Sequence, residues 1–268
     1  MGKTFKTIDD AVIRFAGDSG DGMQLTGGRF TETTAVVGND LSTLPDFPAE
    51  IRAPAGSLAG VSAFQIHFSS KDIHTPGDSP DVLVAMNPAA LKVHQKEIIP
   101  GGTIILNTDA FTKKNLNFAG YESSPVEDGT LDDYFTLIPI EMNKLVTAAC
   151  EGLEMSRKFV GRTKNFFALG VLYYMYDRPL DATEKWLEKK FKGKDIIIEA
   201  NKRAMNAGYN YADTTELFTT RYKVEKAVLP KGTYRNINGN YATSLGLLAA
   251  SEKSGLKLFY GGYPITPA

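Results

Sequence analysis

One short run constrains the fold more than any other feature. Asp81-Val82-Leu83-Val84-Ala85-Met86 is apolar at consecutive positions after its first residue, and a strand alternates its side chains between two faces, so both faces of this one must be buried. An inner parallel strand covered by helices on each side meets that demand. The rest of such a sheet can be read around it. Val12-Ile13-Arg14-Phe15-Ala16, Leu41-Ser42-Thr43-Leu44, residues 103–107 and residues 135–140 read as strands. Residues 61–68 alternate, with Phe64, Ile66 and Phe68 on one face and Gln65 and His67 on the other. Between them, Met23, Thr26, Gly27, Phe30, Thr34 and Val37 recur at helical spacing up to a Gly38-Asn39 stop, Asn87-Pro88 opens a helix to about residue 99, and another covers residues 143–150.

From residue 162 the period is helical only: residues 165–175, 182–191 behind an Asp181…Glu184 capping box, and 196–211. The pattern predicts an α/β fold, an open, mostly parallel Rossmann-like sheet with helices on both faces and a helical C-terminal extension. That domain spans residues 1–220. Residues 221–238 are polar, carry Pro230-Lys231-Gly232 and read as a linker. A fresh helix (241–251) and a fresh strand (256–260) follow, so residues 239–268 read as the truncated start of a second α/β domain.

Composition excludes several function classes. With 30 Lys plus Arg against 31 Asp plus Glu, the formal charge is -1, which lacks the electrostatic footprint of a nucleic-acid binder. Cys150 is the one cysteine. It cannot make an internal disulfide or supply the thiolates of an iron–sulfur cluster, so any cluster belongs to another subunit and the expected compartment is the reducing cytoplasm. The N-terminus has no apolar signal segment, and the most apolar stretch, residues 166–176, is too short for a bilayer and reads as a buried helix. No membrane contact is expected.

The candidate chemistry lies in loops. Gly17-Asp18-Ser19-Gly20-Asp21-Gly22 joins a strand to a helix, where glycines let a ligand approach the backbone and free amides suit a phosphate. The spacing is G-x-x-G-x-G rather than G-x-G-x-x-G, and Asp18 and Asp21 would repel a diphosphate, so a dinucleotide is disfavoured. A plain tight turn with Asp18 or Ser19 as N-cap is the competing reading. Arg52, in the Pro-rich loop 45–56, either grips a carboxylate or phosphate or pairs with Glu50 or Asp46. His67, His74 and His94 show no metal-site spacing, and no metal is expected. Cys150 and the tyrosines around Tyr174 read as core, and the Lys/Glu run 184–194 as a solvated helix face. Last, Gly262-Tyr263-Pro264-Ile265-Thr266-Pro267 puts the Thr266 hydroxyl on a proline-bounded loop at a strand's carboxyl end.

In order, residues 17–23, Pro48-Ala49-Glu50-Ile51-Arg52, residues 81–87, Gly161-Arg162-Thr163-Lys164-Asn165, Glu199-Ala200-Asn201 and Gly208-Tyr209 resemble the gamma domain of 2-oxoacid:ferredoxin oxidoreductases. Gly239-Asn240-Tyr241-Ala242 through Tyr263-Pro264-Ile265-Thr266-Pro267 is similar to the opening of the alpha domain, and gamma followed by alpha is the order of the fused subunit of 2-oxoglutarate:ferredoxin oxidoreductases. The resemblance implies oxidative decarboxylation of a 2-oxoacid, with 2-oxoglutarate the expected substrate from the fused order, with coenzyme A to acyl-CoA and CO2, electrons going to ferredoxin. It implies thiamine diphosphate between alpha and beta domains, a 4Fe-4S cluster on the beta subunit, and a dimer of heterodimers. By the same resemblance Thr266 points at the substrate near the thiamine and the gamma domain covers the active site and handles coenzyme A; Tyr263 beside Thr266, and Arg52 on its loop reading, are the further candidate substrate contacts. Family loops more often read Gly-x-Gly-Gly-Gln-Gly. The acidic residues here favour an interdomain contact for the loop, and a chain without its partner is expected to be inactive. A self-contained nucleotide- or flavin-binding module, or a scaffold domain, is the alternative.

Overall fold

The computed structural model describes residues 4–50 and 53–263. They fall into two units, Met1–Leu229 and Pro230–Ala268. In chain order the first holds β1 (Thr4–Ile8), β2 (Asp10–Asp18), α1 (Met23–Val37), β3 (Asp40–Asp46), β4 (Val61–Ser69), β5 (Val82–Ala85), α2 (Pro88–His94), β6 (Thr103–Asn107), α3 (Lys113–Phe118), β7 (Thr136–Ile140), α4 (Met142–Ala149), α5 (Arg157–Val160), α6 (Lys164–Met175), α7 (Asp181–Lys190), α8 (Asp195–Thr214) and β8 (Thr220–Val224). Strands β2 to β7 form one sheet in the order β3-β4-β2-β5-β6-β7. The four from β2 to β7 run parallel, and β4 pairs antiparallel with both β2 and β3. β1 and β8 make a separate parallel pair.

The apolar run of β5 explains the layering. Val82 and Val84 join Ile13, Phe15, Phe64, Ile66, Phe68 and Ile105 in one core, capped by α1, α4, α6 and α8. Leu83 and Ala85 join Ala16, Ala63, Ile104 and Leu106 in a second core on the opposite face, closed by Ala89, Ala90 and Leu91 of α2. Helices therefore cover both faces, as the period-two reading requires. Helix α6 is buried along its whole length after Lys164. Its Gly170 and Gly208 of α8 let the two backbones touch: a Cβ on Gly170 would lie 2.0 Å from the Met205 carbonyl, and one on Gly208 2.0 Å from the Phe167 carbonyl.

Several local expectations change in tertiary context. β4 buries both faces, not one, because Gln65 lies under α2's layer with its amide bonded to Arg14 Nε and to the Pro76 and Gly77 carbonyls. The helix after Asn87 ends at His94 and gives way to a 3-10 turn over Gln95–Glu97. Asp181 does not cap α7. The helix starts on it, with Leu180 as N-cap, so Asp181 and Glu184 act through charge at the positive helix end. Residues 220–224, which straddle the expected domain end and linker, form β8.

The second unit contains α9 (Gly239–Ser254), whose N-cap Asn238 accepts from the Tyr241 amide, and which stops at left-handed Gly255. Residues 256–260 are not a strand. They have no neighbouring strand to pair with among the described residues, and an isolated strand leaves its backbone groups unpaired.

Candidate functional site

The carboxyl ends of β2 and β5 define the site. After β2 the chain moves to β3 and β4 on one side, and after β5 to β6 and β7 on the other, so the strand order reverses there and a crevice opens, the usual ligand position in open α/β sheets. The register pairs Ala16 with Ala85. Two residues further on, Asp18 and Asn87 therefore sit side by side. Asn87 caps α2 through the Ala90 amide, 2.8 Å from its Oδ1.

The loop 17–22 folds on its own carboxylates. The Asp21 amide donates to the Asp18 carbonyl at 2.8 Å, and the Asp18 amide donates back to Asp21 Oδ2 at 3.0 Å. Asp21 Oδ1 lies 2.8 Å from Lys164 Nζ at the start of α6, and both side chains are largely shielded, 14% and 18% exposed. Asp18 Oδ2 accepts from the Gly56 amide at 3.0 Å, which ties the Pro-rich loop to the Gly loop. Its Oδ1 is buried without a partner among the described residues. Burial pushes the Asp18 carboxyl up, and the neighbouring Asp21 carboxylate adds to this. The Gly56 amide, the Asn87 side chain and Lys164 oppose it.

Glycine is required at two points of this loop. Gly22 is left-handed (φ 78°), and a Cβ there would lie 2.5 Å from Asn165 Nδ2. At Gly17 a Cβ would meet Asp21 Oδ2 at 2.9 Å. Neither Asp18 nor Ser19 is the N-cap of α1: Gly22 holds that position, with no side-chain cap. Gln24 on the first turn donates to the Asp46 and Ala63 carbonyls and anchors the helix start to the ends of β3 and β4.

Beside the loop lies a cleft of about 260 Å³. Leu25, Met155, Phe159, Phe166, Phe191 and Ile197 wall it, and Arg162, Asn165 and Asn201 add polar groups. The Arg162 guanidinium stands 5.2 Å over the Phe159 ring. A second buried polar group lies at the next strand end: Asn107 donates to the Met86 carbonyl at 3.3 Å, while its Oδ1 finds no partner among the described residues. In the layer under α2, the Arg14 guanidinium contacts His94 Nδ1 at 2.9 Å and pairs with Glu97. Burial, with Arg14 adding, lowers His94 to about 4.

The Asp21 carboxylate uses the Asp18 amide and Lys164, with the Asp18 carboxylate beside it, so a diphosphate at this point of the loop would compete with that carboxylate. The cleft walls suit a partly apolar group, with Asp21 and Arg162 as the charged residues of the lining. Of the expected contacts, the loop residues Gly17 to Gly22 are brought together with Lys164 and Asn165, which residue types alone did not single out as partners. Tyr263 is described and exposed, in the second unit. Arg52 and Thr266 lie outside the described residues. Among the described residues no group of His, Cys, Asp and Glu has the arrangement of a metal site, and no helix is long and apolar enough to cross a membrane.

Residues 12–211 match the family model described as pyruvate ferredoxin/flavodoxin oxidoreductase. The chain is 52% identical to the 2-oxoglutarate oxidoreductase subunit KorA of Mycobacterium tuberculosis over 97% of its own length and 40% of that protein's. It is similar to the 2-oxoglutarate:ferredoxin oxidoreductase of Magnetococcus marinus, solved with 2-oxoglutarate, coenzyme A and succinyl-CoA bound. There the TM-score is 0.72 at 25% identity, over 97% of this chain and 40% of that one. The fold is also that of the keto/oxoacid ferredoxin oxidoreductase gamma subunit of Geobacter sulfurreducens, with a TM-score of 0.52 at 16% identity, over 77% of this chain and 98% of that one. The chain thus spans about 40% of the length of the first two relatives.

Proposed function

The chain belongs to the pyruvate ferredoxin/flavodoxin oxidoreductase family, and from that premise we propose that it serves a 2-oxoacid:ferredoxin oxidoreductase acting on 2-oxoglutarate. In that reaction the 2-oxoacid is decarboxylated, its acyl group passes to coenzyme A, and its electrons pass to ferredoxin. The observation that carries the reading is the 52% identity to KorA across nearly the whole chain. The self-contained dinucleotide module is not favoured, since the chain is 52% identical to an oxidoreductase subunit and two carboxylates, Asp18 and Asp21, stand in the loop.

In this proposal the unit Met1–Leu229 is a gamma-type domain, supported by the fold it shares with a stand-alone gamma subunit. Residues 239–268 open the alpha domain, with Thr266 and Tyr263 as substrate contacts and Arg52 as a further one. Thiamine diphosphate and a 4Fe-4S cluster are held with a beta subunit in the cytoplasm. The single, buried Cys150 cannot supply a cluster's four thiolates, which supports a cluster outside these 268 residues. Loop 17–22 helps to fix the crevice where the Gly loop, the Pro-rich loop and α6 meet, through Asp18 on the Gly56 amide and Asp21 on Lys164.

The test is steady-state turnover of the full-length protein with its partner subunit, with coenzyme A and a low-potential acceptor. The expected order of kcat/KM puts 2-oxoglutarate above pyruvate and above a branched 2-oxoacid, with no turnover by the 268-residue chain alone. Preference for either competitor would overturn the substrate, and no turnover with any 2-oxoacid would overturn the activity.

A further inference from the structure

A second cavity, of about 330 Å³, opens at the amino ends of the parallel strands, the edge of the sheet opposite the crevice. The starts of β2, β5 and β6 line it with Asp10, Asp81 and Thr103, and the β1–β8 pair and the end of α6 line it with Lys6, Tyr222 and Tyr176. Two of these groups lack a counterpart. Tyr176 is 2% exposed, yet its hydroxyl makes no hydrogen bond among the described residues, whereas a buried tyrosine hydroxyl ordinarily finds a partner. The partly buried Asp81 accepts from the Val12 amide through Oδ2 at 2.7 Å, and no cation pairs with it among the described residues. Burial pushes its carboxyl up, the Val12 amide opposes this, and the Asp10 charge adds to it. Asp10 itself has His67 Nε2 at 3.3 Å.

The lining selects the sign of a ligand. The Gly101, Gly102 and Thr103 amides are spent on the Tyr134, Ile99 and Asp81 carbonyls, so the only cation open to an anion is the exposed Lys6. A metal ion needs a group of ligating side chains that the described residues do not provide. An organic cation finds both of its usual partners, a carboxylate and an aromatic face: the Tyr176 and Tyr222 rings lie 5.8 Å apart beside Asp81. Ile8, Ile99 and Met175 add an apolar wall.

We propose that this cavity binds a small organic cation, an ammonium or guanidinium on a short apolar stem, which donates to the Asp81 carboxylate and the Tyr176 hydroxyl and lies against the Tyr222 ring. The site is at the other edge of the sheet from the crevice and does not depend on which 2-oxoacid is used, so it stands or fails apart from the proposed activity.

Titration of the full-length protein, assembled with its partner subunit, with n-butylammonium and n-butylguanidinium tests it, read by saturation-transfer NMR. Saturable binding is expected for at least one of them, and none for n-butanol or butyrate. Tyr176→Phe is expected to weaken binding about fivefold through one lost hydrogen bond. Its melting midpoint without ligand should equal or exceed the wild type, because no protein group is stranded. Asp81→Asn is expected to weaken binding about tenfold or more. Should that variant fail to fold by circular dichroism, Tyr222→Leu takes its place, with a loss of about threefold from the missing aromatic face. No binding of either cation, equal binding of n-butanol, a folded variant with wild-type affinity, or a Tyr176→Phe midpoint below wild type would each overturn the proposal.

Discussion

Replacing Gly170 by alanine sets helix propensity against packing, and the two predict opposite signs. Alanine in a helix interior is favoured over glycine by about 1 kcal/mol. At position 170 the new methyl would lie 2.0 Å from the Met205 carbonyl oxygen and 2.8 Å from the Tyr209 amide nitrogen, both backbone atoms that cannot rotate away. Reaching ordinary van der Waals contact requires α8 to retreat by roughly 1.4 Å, and even a 0.5–1 Å gap forfeits a quarter to a half of each dispersion contact along the seam. Overpacking of this kind costs about 1–3 kcal/mol, more where neither side yields. With two rigid backbone contacts the cost lies at the upper end of that range, so packing wins with a net loss of about 2 kcal/mol, or a melting midpoint about 4–8 °C lower for a unit of this size. Gly28→Ala in α1 is the control, because a Cβ there meets nothing within 4 Å and propensity alone should act. Urea and thermal unfolding of both variants read the difference. A Gly170→Ala midpoint at or above wild type, or an equal fall in Gly28→Ala, would refute the backbone contact.

Lys164→Met leaves the Asp21 carboxylate shielded and unpaired, an expected loss of about 3–5 kcal/mol that Asp21→Asn in the same chain should largely restore. A double-mutant cycle showing no coupling would count against the ion pair. His94, lowered to about 4 chiefly by burial, takes up a proton in the unfolded chain that the fold rejects. Its contribution is complete above about pH 6.5 and falls away toward pH 4, by up to about 3 kcal/mol. An NMR titration of its ring that reports a midpoint near 6.5 would contradict this. Tyr173 bonds Thr33 and Thr183 at 2.8 Å each in a fully buried cluster. Tyr173→Phe should cost about 1–3 kcal/mol by stranding the two threonines, and unchanged unfolding would show that they pair without it.

What was legible in the sequence is what repeats locally. The two-faced run at β5 placed both cores, and the glycines after β2 marked the loop at the sheet's reversal point. What escaped depends on distant partners. Arg221-Tyr222-Lys223 looks like linker because its composition is polar, yet the Arg221 and Tyr222 side chains pack inward, and it is a strand only because β1 pairs with it. Residues 256–260 show the converse, strand-like composition without a partner strand among the described residues. Within the site, the Gly loop was visible but its counter-charge was not: Asp21 and Lys164 are brought together by the packing of α6 on the sheet, which no spacing rule encodes. The Asp181…Glu184 pattern failed for a smaller reason, since one residue of helix extension turns a cap into a first-turn charge.

The β1–β8 pairing also orders events in time. Thr4 meets Thr220 and Ile8 meets Val224, with the Arg221 guanidinium lodged between the Phe5 and Tyr174 rings at 4.6 and 4.3 Å. On a ribosome adding about 5–20 residues per second, the strand made first waits roughly 10 to 40 seconds for its partner to be synthesised. Strands β2 to β7 find their neighbours as they emerge, while β1 remains an open edge until nearly all of the unit is out of the exit tunnel. Its closure is thus a late clasp over a sheet already assembled, and during synthesis this short strand is where a chaperone would find the nascent chain unfinished.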